Sequence, residues 1–189
     1  MGIFTKIRQF CFVSVRIWKY KILSNCDQVS GQPNCYHPLL LKGKGKIRFG
    51  KNVQIGVINS PNFYSHYSYL EARNAESEIT IGDNVSINNA FSAIAFSKII
   101  IGNNVLIGVN CSIIDNDGHD LNPNQRTTGM PKVEAVRIED NVFLGSNVSV
   151  LKGVSIGKNA VIGNGSVVTQ SIPENAIAAG NPAKVIRML

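Results

Sequence analysis

Residues 138–168 read IEDNVFLGSNVSVLKGVSIGKNAVIGNGSVV. Every sixth position from Ile138 onward is a branched aliphatic residue: Ile138, Leu144, Val150, Ile156, Ile162 and Val168. Four residues after the first five stand Val142, Val148, Val154, Ala160 and Ser166, all small or β-branched. Gly145, Gly157 and Gly163 directly follow three of the leading residues. A step of six turns about 240° around an α-helix, so these residues share no helical face. Short strands joined by tight corners account for the pattern: the leading residue and the one two or four later point inward, and a small residue or Gly permits the corner. Hexads closing a triangular coil return the chain ~4.8 Å further along the axis. One coil cannot bury its own apolar edge, so stacking supplies the core.

Working outward, the period recurs as Ile81-Gly82, Ile87, then Ile101-Gly102, Ile107-Gly108 and Ile113, with an earlier fragment at Phe49-Gly50 and Ile55-Gly56. Ile81 and Ile101 are out of phase by two residues, so one coil bulges. Two stretches break the phase. One lies between Ile55 and Ile81; the other spans 115–137, where Gly118, Pro123, Gly129 and Pro131 mark an excursion from the stack. After Val168 the repeat stops, and residues 182–187 read as a short capping helix with Pro182 at its start. The expected fold is all-β: a left-handed parallel β-helix with an N-terminal helical arm, an excursion loop and a short C-terminal helix. The expected units are an arm over 1–44, the β-helix over 45–171 with its loop at 115–137, and a cap over 172–189.

The formal charge of +7 invites a nucleic-acid reading until its distribution is considered. Lys6, Arg8, Arg16, Lys19, Lys21, Lys42, Lys44, Lys46 and Arg48 face a single acid, Asp27, in residues 1–48, whereas the remaining chain is nearly neutral. A phosphate-tracking surface along the body is not expected. Cys11, Cys26, Cys35 and Cys111 form no CxxC pair, which favours a reduced, cytoplasmic setting. No run approaches the roughly 20 apolar residues of a membrane span, and the basic, apolar start is a poor signal peptide. Residues 2–22 read as a helix in which Ile3, Phe4, Ile7, Cys11, Val15, Trp18 and Ile22 share a broad face, with Phe12, Val13 and Ile17 outside it. That face suits docking on the protein's own assembly, the cytoplasmic surface of the inner membrane, or a partner protein.

The tract VFLGSNVSVLKGVSIGKNAVIGNGSVVTQSIPENAIAAGNPAKVIR, together with ITIGDNVSINNA and IIIGNNVLIGVNCSIIDNDGH, resembles the hexapeptide-repeat acyltransferases. The likeness covers about residues 45–188 and is greatest to the maltose and galactoside O-acetyltransferases and the O-antigen and capsule-modifying enzymes. It implies a homotrimer with active sites between subunits, and direct transfer of acetyl from acetyl-CoA to an acceptor hydroxyl without an acyl-enzyme.

Such a transfer needs a base, because an alcohol is a poor nucleophile, and His is suited to it. His119, in DNDGHD, matches the family's catalytic histidine. Asp115 and Asp117 precede it; a carboxylate or a backbone carbonyl on one ring nitrogen would fix the tautomer. The alternative is that both acids only build a turn. His37 and His66 read as local, with His66 near the acceptor if the first interruption folds over the cleft. The resemblance puts Ser146, through its hydroxyl or its amide, at the oxyanion and cofactor, and Asn88 or Asn89 at the acceptor, an asparagine ladder being the competing reading. Phe143 replaces the family's tryptophan beside the acceptor. Ala160, Gly163, Lys184 and Arg187 match positions along the coenzyme A groove. Gln170 and Ser171 stand where the family often has Lys-Asp, which removes or replaces a phosphate contact. No metal is expected, since the three histidines lack paired spacing.

The function so implied is O-acetylation of a saccharide in surface-polysaccharide assembly. N-acetylation of an amino sugar nucleotide is the alternative, although the nucleotide-binding domain usual in those enzymes has no room here. A non-catalytic scaffold is the third.

Overall fold

Each leading residue of the hexads is the inward residue of a very short strand. Val136–Ile138, Phe143–Leu144 and Ser149–Val150 make one coil; Ser155–Ile156, Val161–Ile162 and Val167–Val168 make the next. Pairing is parallel and in register, with Ile138 opposite Ile156, Leu144 opposite Ile162 and Val150 opposite Val168. All six are fully buried, as are Val142, Val148 and Ala160 four residues after their leaders. Repetition builds three sheets of six, eight and six strands around a single apolar core, the left-handed parallel β-helix expected from the hexads. The computed structural model describes residues 3–189; Met1, Gly2 and the side chains of Ile3, Thr5 and Lys6 lie outside the described residues.

The corners differ from expectation. The residues in the left-handed backbone region are mostly asparagines: Asn52, Asn84, Asn104, Asn141, Asn159 and Asn175 have φ between 55° and 62°. Asparagine tolerates that region because its short amide can bond locally. Here the amides also bond between coils, from Asn141 to Asn159 at 2.9 Å and from Asn159 to Asn175 at 2.7 Å. The glycines of the Ile-Gly pairs serve close approach instead, Gly56 alone among them having a positive φ, of 95°. A Cβ on Gly145 would stand 2.2 Å from Asn164 Oδ1, and one on Gly82 2.7 Å from the backbone of Gly102.

Two unit boundaries move. Gln28–Ser30, Asn34–Cys35 and Leu39–Gly43 already pair in parallel with Lys46–Phe49, Gln54–Ile55 and Ser68–Ala72, so the first coil starts at Gln28 rather than at 45. The turns of that first coil, GQP at 31–33 and YHP at 36–38, follow no Ile-Gly pair, which conceals the coil in the sequence. At the other end, the expected capping helix is a strand. Ala183–Met188 lies antiparallel to Ala176–Gly180, with Ala183 buried and Val185 opposite Ala178. Pro182 sits in the turn, and the tail covers an edge that would otherwise expose unpaired backbone.

The arm is helical over Ile3–Gln9 (α1), widens into a π-helical turn at Phe10–Ser14, and continues as Val15–Leu23 (α2). It docks by its minor face. Val13 is buried and Ile17 half-buried, Tyr20 stacks on Tyr67 at 4.5 Å, and the Arg16 guanidinium donates to the carbonyls of Phe63 and His66.

The segment beneath it, residues 56–67, is held by His37. Its buried Nε2–H donates to the carbonyls of Asn62 and Ser65 at 3.1 and 3.0 Å, leaving Nδ1 without a partner. Burial holds the His37 imidazole below its ordinary pKa, and nearby Arg16 adds to this, while the two carbonyls oppose it. The unfolded chain therefore binds a proton below about pH 6.5 that the folded chain resists. The contribution to stability is complete above that pH and is lost as pH falls towards the lowered folded value. Hydrogen exchange of residues 62–67, corrected for the intrinsic pH dependence, should be constant from about pH 7 to 8 and accelerate below about 6.5.

Candidate active site

The excursion loop leaves the stack at the end of strand Ser112–Ile114 and rejoins it at Val136. Its two limbs are pinned together at the base: Asp117 N–H donates to Lys132 O at 3.1 Å, and Glu134 N–H to Asp115 O at 2.9 Å. Above this clasp, Gly118 N–H donates to Asn116 Oδ1 at 2.8 Å, and Gly118, with φ of 75°, turns the chain so that His119 projects.

His119 is exposed, and its Nδ1 lies 3.1 Å from Arg126 O on the returning limb. A carbonyl only accepts, so Nδ1 carries the hydrogen and Nε2 keeps its lone pair facing outward. Of the two orienting groups anticipated, the backbone carbonyl is the one present. The sequence gives no signal for it, since any residue at 126 supplies a carbonyl.

Asp115 is not an orienting carboxylate. It is fully buried, its Oδ1 accepting from Phe96 N–H at 2.8 Å and its Oδ2 from Ser97 and Lys98 N–H at 2.7 and 2.8 Å. It satisfies three backbone donors at the corner of the coil below, because the chain there bends before Lys98–Ile101 resumes the stack. Asp117 points elsewhere: its Oδ1 pairs with Lys152 Nζ at 3.3 Å, and its Oδ2 is buried without a partner. This pair, with Ile114, Asn116, Leu151 and Thr169, lines a cavity of about 320 Å³ beside the base of the loop. Sequence reasoning passed over Lys152 and Thr169, which the coil spacing brings next to the loop.

Asn89, one of the two asparagines expected at the acceptor, is also structural. It is fully buried; its Oδ1 accepts from Val57 N–H at 3.1 Å and its Nδ2 donates to Pro61 O at 2.9 Å. It fastens residues 57–61 to the coil. Asn88 is half-buried, with its Oδ1 accepting from Asn89 N–H at 2.7 Å. Phe143 stands on the outer face of the eight-stranded sheet between Leu106 and Val161, and is 45% exposed.

Ser146 reaches the surface at a corner, but its amide already donates to Asn164 Oδ1 at 2.8 Å. Only its hydroxyl remains as an oxyanion donor. Asn164 was legible in principle, since it lies one 18-residue coil beyond Ser146. Ala160 turns its side chain into the core and offers backbone alone. Gly163 packs under Ala179, where a Cβ would come within 2.8 Å, and Ala179 pairs with Lys184 in the terminal hairpin. Lys184 and Arg187 are exposed on that hairpin. The structure thus gathers Ser146, Gly163 and Lys184 along neighbouring coils, and sets His119, Asp117 and Lys152 around the loop. Among the described residues, no hydrogen bond or ion pair joins His119 to Asp115, Asp117 or Ser146.

A repeat-built helix with a histidine on an excursion loop defines a known class, and the comparisons agree with it. The family described as "Hexapeptide repeat of succinyl-transferase" matches residues 98–118 and 135–170. The chain is 34% identical over 180 residues to a galactoside O-acetyltransferase of Lactococcus lactis, covering 92% of this chain and 80% of that one. It belongs to the hexapeptide-repeat acetyltransferases. A Saccharomyces cerevisiae relative is 43% identical over 132 residues, covering 70% of this chain and 63% of its own. The solved hexapeptide-repeat-containing acetyltransferase of Vibrio cholerae superposes with a TM-score of 0.56 at 34% identity, over 59% of this chain and 62% of its own. The chain thus spans less than two thirds of the matched yeast and Vibrio proteins.

Proposed function

We propose that this chain transfers acetyl from acetyl-CoA to a hydroxyl of a saccharide, with His119 as general base. The observation that carries the reading is the hydrogen bond from His119 Nδ1 to Arg126 O, which leaves an exposed basic nitrogen on a pinned loop. The galactoside O-acetyltransferase relationship supports both the donor and the acceptor class.

In the reaction so read, Nε2 takes the proton of the acceptor hydroxyl while its oxygen attacks the thioester carbonyl. The Ser146 hydroxyl donates to the oxyanion of the tetrahedral intermediate. Collapse breaks the carbon–sulfur bond, and the leaving thiolate receives the proton from the imidazolium. Asp117 Oδ2, buried and unpartnered, is an acceptor for a sugar hydroxyl, and the Asn88 side-chain amide is available as a donor. Gly163 allows the pantetheine to run close to backbone, and Lys184 and Arg187 supply cations for the phosphates.

The working unit we infer is a homotrimer, with each cleft completed by a neighbour. The outward row of Leu106, Phe143 and Val161 offers an apolar surface for such a contact. Assembly of a cell-surface polysaccharide, on the cytoplasmic side, is the process we assign to it. The test is thiol release from acetyl-CoA across free sugars, nucleotide sugars and polymeric or lipid-linked glycans. Release that rises only with a hydroxyl-bearing saccharide supports the reading; release that answers only to amino sugar nucleotides replaces it.

A further inference from the structure

The broad apolar face of the arm points away from the protein. Phe4 is 84% exposed, Phe10 64%, Trp18 66% and Ile22 61%, and Ile7, Cys11 and Val15 are exposed beside them. The spacing from Ile7 through Cys11 and Val15 to Trp18 and Ile22 keeps these residues on one side. The π-helical turn lags behind an α-helix, which brings Phe10 towards this side and sets Val13 above Ile17 on the opposite side, where the two dock. Docking to the β-helix therefore fixes the arm in place and spends only its minor face.

Charge identifies what the outer face fits. Lys19 and Lys21 flank the Val15–Trp18–Ile22 ridge on either side of α2, whereas the Arg8 guanidinium lies over the Tyr64 ring at 5.7 Å, on the docked side. The first acidic residue of the chain is Asp27, beyond the arm. A second copy of this chain offers no complementary surface in its other exposed apolar row. The outward residues of the eight-stranded sheet run Gln54, Ser86, Leu106, Phe143 and Val161, without a carboxylate. Aromatic and aliphatic side chains on one face, cations at its margins and no acids are the properties of a helix that lies in the interface of an anionic bilayer. No helix among the described residues is long and apolar enough to cross one.

We propose that the arm binds the protein peripherally to anionic lipid surfaces through this face, with Phe4, Phe10, Val15, Trp18 and Ile22 entering the interface and Lys19 and Lys21 meeting headgroups. The proposal is independent of the acceptor and of the catalytic reading, because it rests on residues outside the site.

The chain's single tryptophan lies on the face, so its fluorescence reports contact directly. Full-length protein is titrated with vesicles of phosphatidylcholine alone and of phosphatidylcholine with phosphatidylglycerol, carrying brominated acyl chains. The expected result is quenching of Trp18 and co-sedimentation with the anionic vesicles only. Loss of about fivefold in binding is expected for each of Lys19→Gln and Lys21→Gln, since a cation near such a surface is worth ~1 kcal/mol. Phe10→Ser with Val15→Ser should abolish quenching while leaving the oligomeric state, measured by light scattering, unchanged. Equal binding to both vesicles, no quenching by either, or a changed oligomeric state in the serine variant would overturn the proposal, the last by showing that the face packs between copies.

Discussion

Replacing His119 with alanine is expected to lower acetyl transfer by about 10²–10⁴-fold, the usual contribution of a positioned general base. The ring is exposed and makes one hydrogen bond, to Arg126 O, so its removal costs the fold no more than about 1 kcal/mol. The clasp at the loop base involves Asp117, Lys132, Asp115 and Glu134, none of which depends on the imidazole. Steady-state thiol release combined with thermal unfolding checks both halves. His119→Gln should be equally inactive, because a side-chain amide cannot take the proton. A variant that unfolds with its activity would place His119 in the scaffold, and one that retains activity would place the base elsewhere.

Asp115→Ala is expected to act in the opposite sense, lowering stability by about 4 kcal/mol. A hydrogen bond to a charged group contributes ~1.5–3 kcal/mol, and three backbone donors, on Phe96, Ser97 and Lys98, converge on this buried carboxylate. Asn116 Nδ2 loses its acceptor at 3.0 Å as well. The denaturant midpoint should fall sharply without a change in slope, and the activity lost should return in proportion to the fraction still folded. Asp115→Asn should fall between the wild type and the alanine variant, since its one amide oxygen can satisfy only part of the cluster. Full folding stability with abolished turnover would instead make Asp115 a catalytic group.

The contrast between these two residues, four apart in one loop, shows what the sequence discloses and what it withholds. The hexads from Ile138 to Val168 prescribe the inward row, because burial on a triangular coil demands it at every sixth position. His119 was legible because a histidine on an interruption of that period has few structural reasons to be there. The role of Asp115 was not, because its ligands are backbone amides about 20 residues away whose approach depends on how the coil bends. Asn89 misled for the same reason: its partners are Val57 and the carbonyls of residues 57–61, about 30 residues away, which approach only once the segment after Ile55 folds over that coil.

At the corners, the hexads point to glycine, whereas asparagine bears the left-handed conformation at most of them, with Gly153 and Gly165 sharing that role. The tail was read as a helix from its Pro182 start. The open edge at Ala176–Gly180 makes a strand the better use of Val185 and Ile186, and that edge exists only once the sheet is built. The arm's two faces were separable in sequence, but not which of them would dock. The buried Val13 and half-buried Ile17 give the answer, and it leaves the larger face free.

The most direct test of the account is the chemical nature of the product. Purified protein is incubated with acetyl-CoA labelled in the acetyl group and with the saccharide that best stimulates thiol release, and the labelled product is examined by NMR before and after mild alkali. The account predicts label on a sugar oxygen, released by alkali as acetate, and absent when His119 is replaced. An alkali-stable amide on an amino sugar would contradict it, as would label attached to the protein itself.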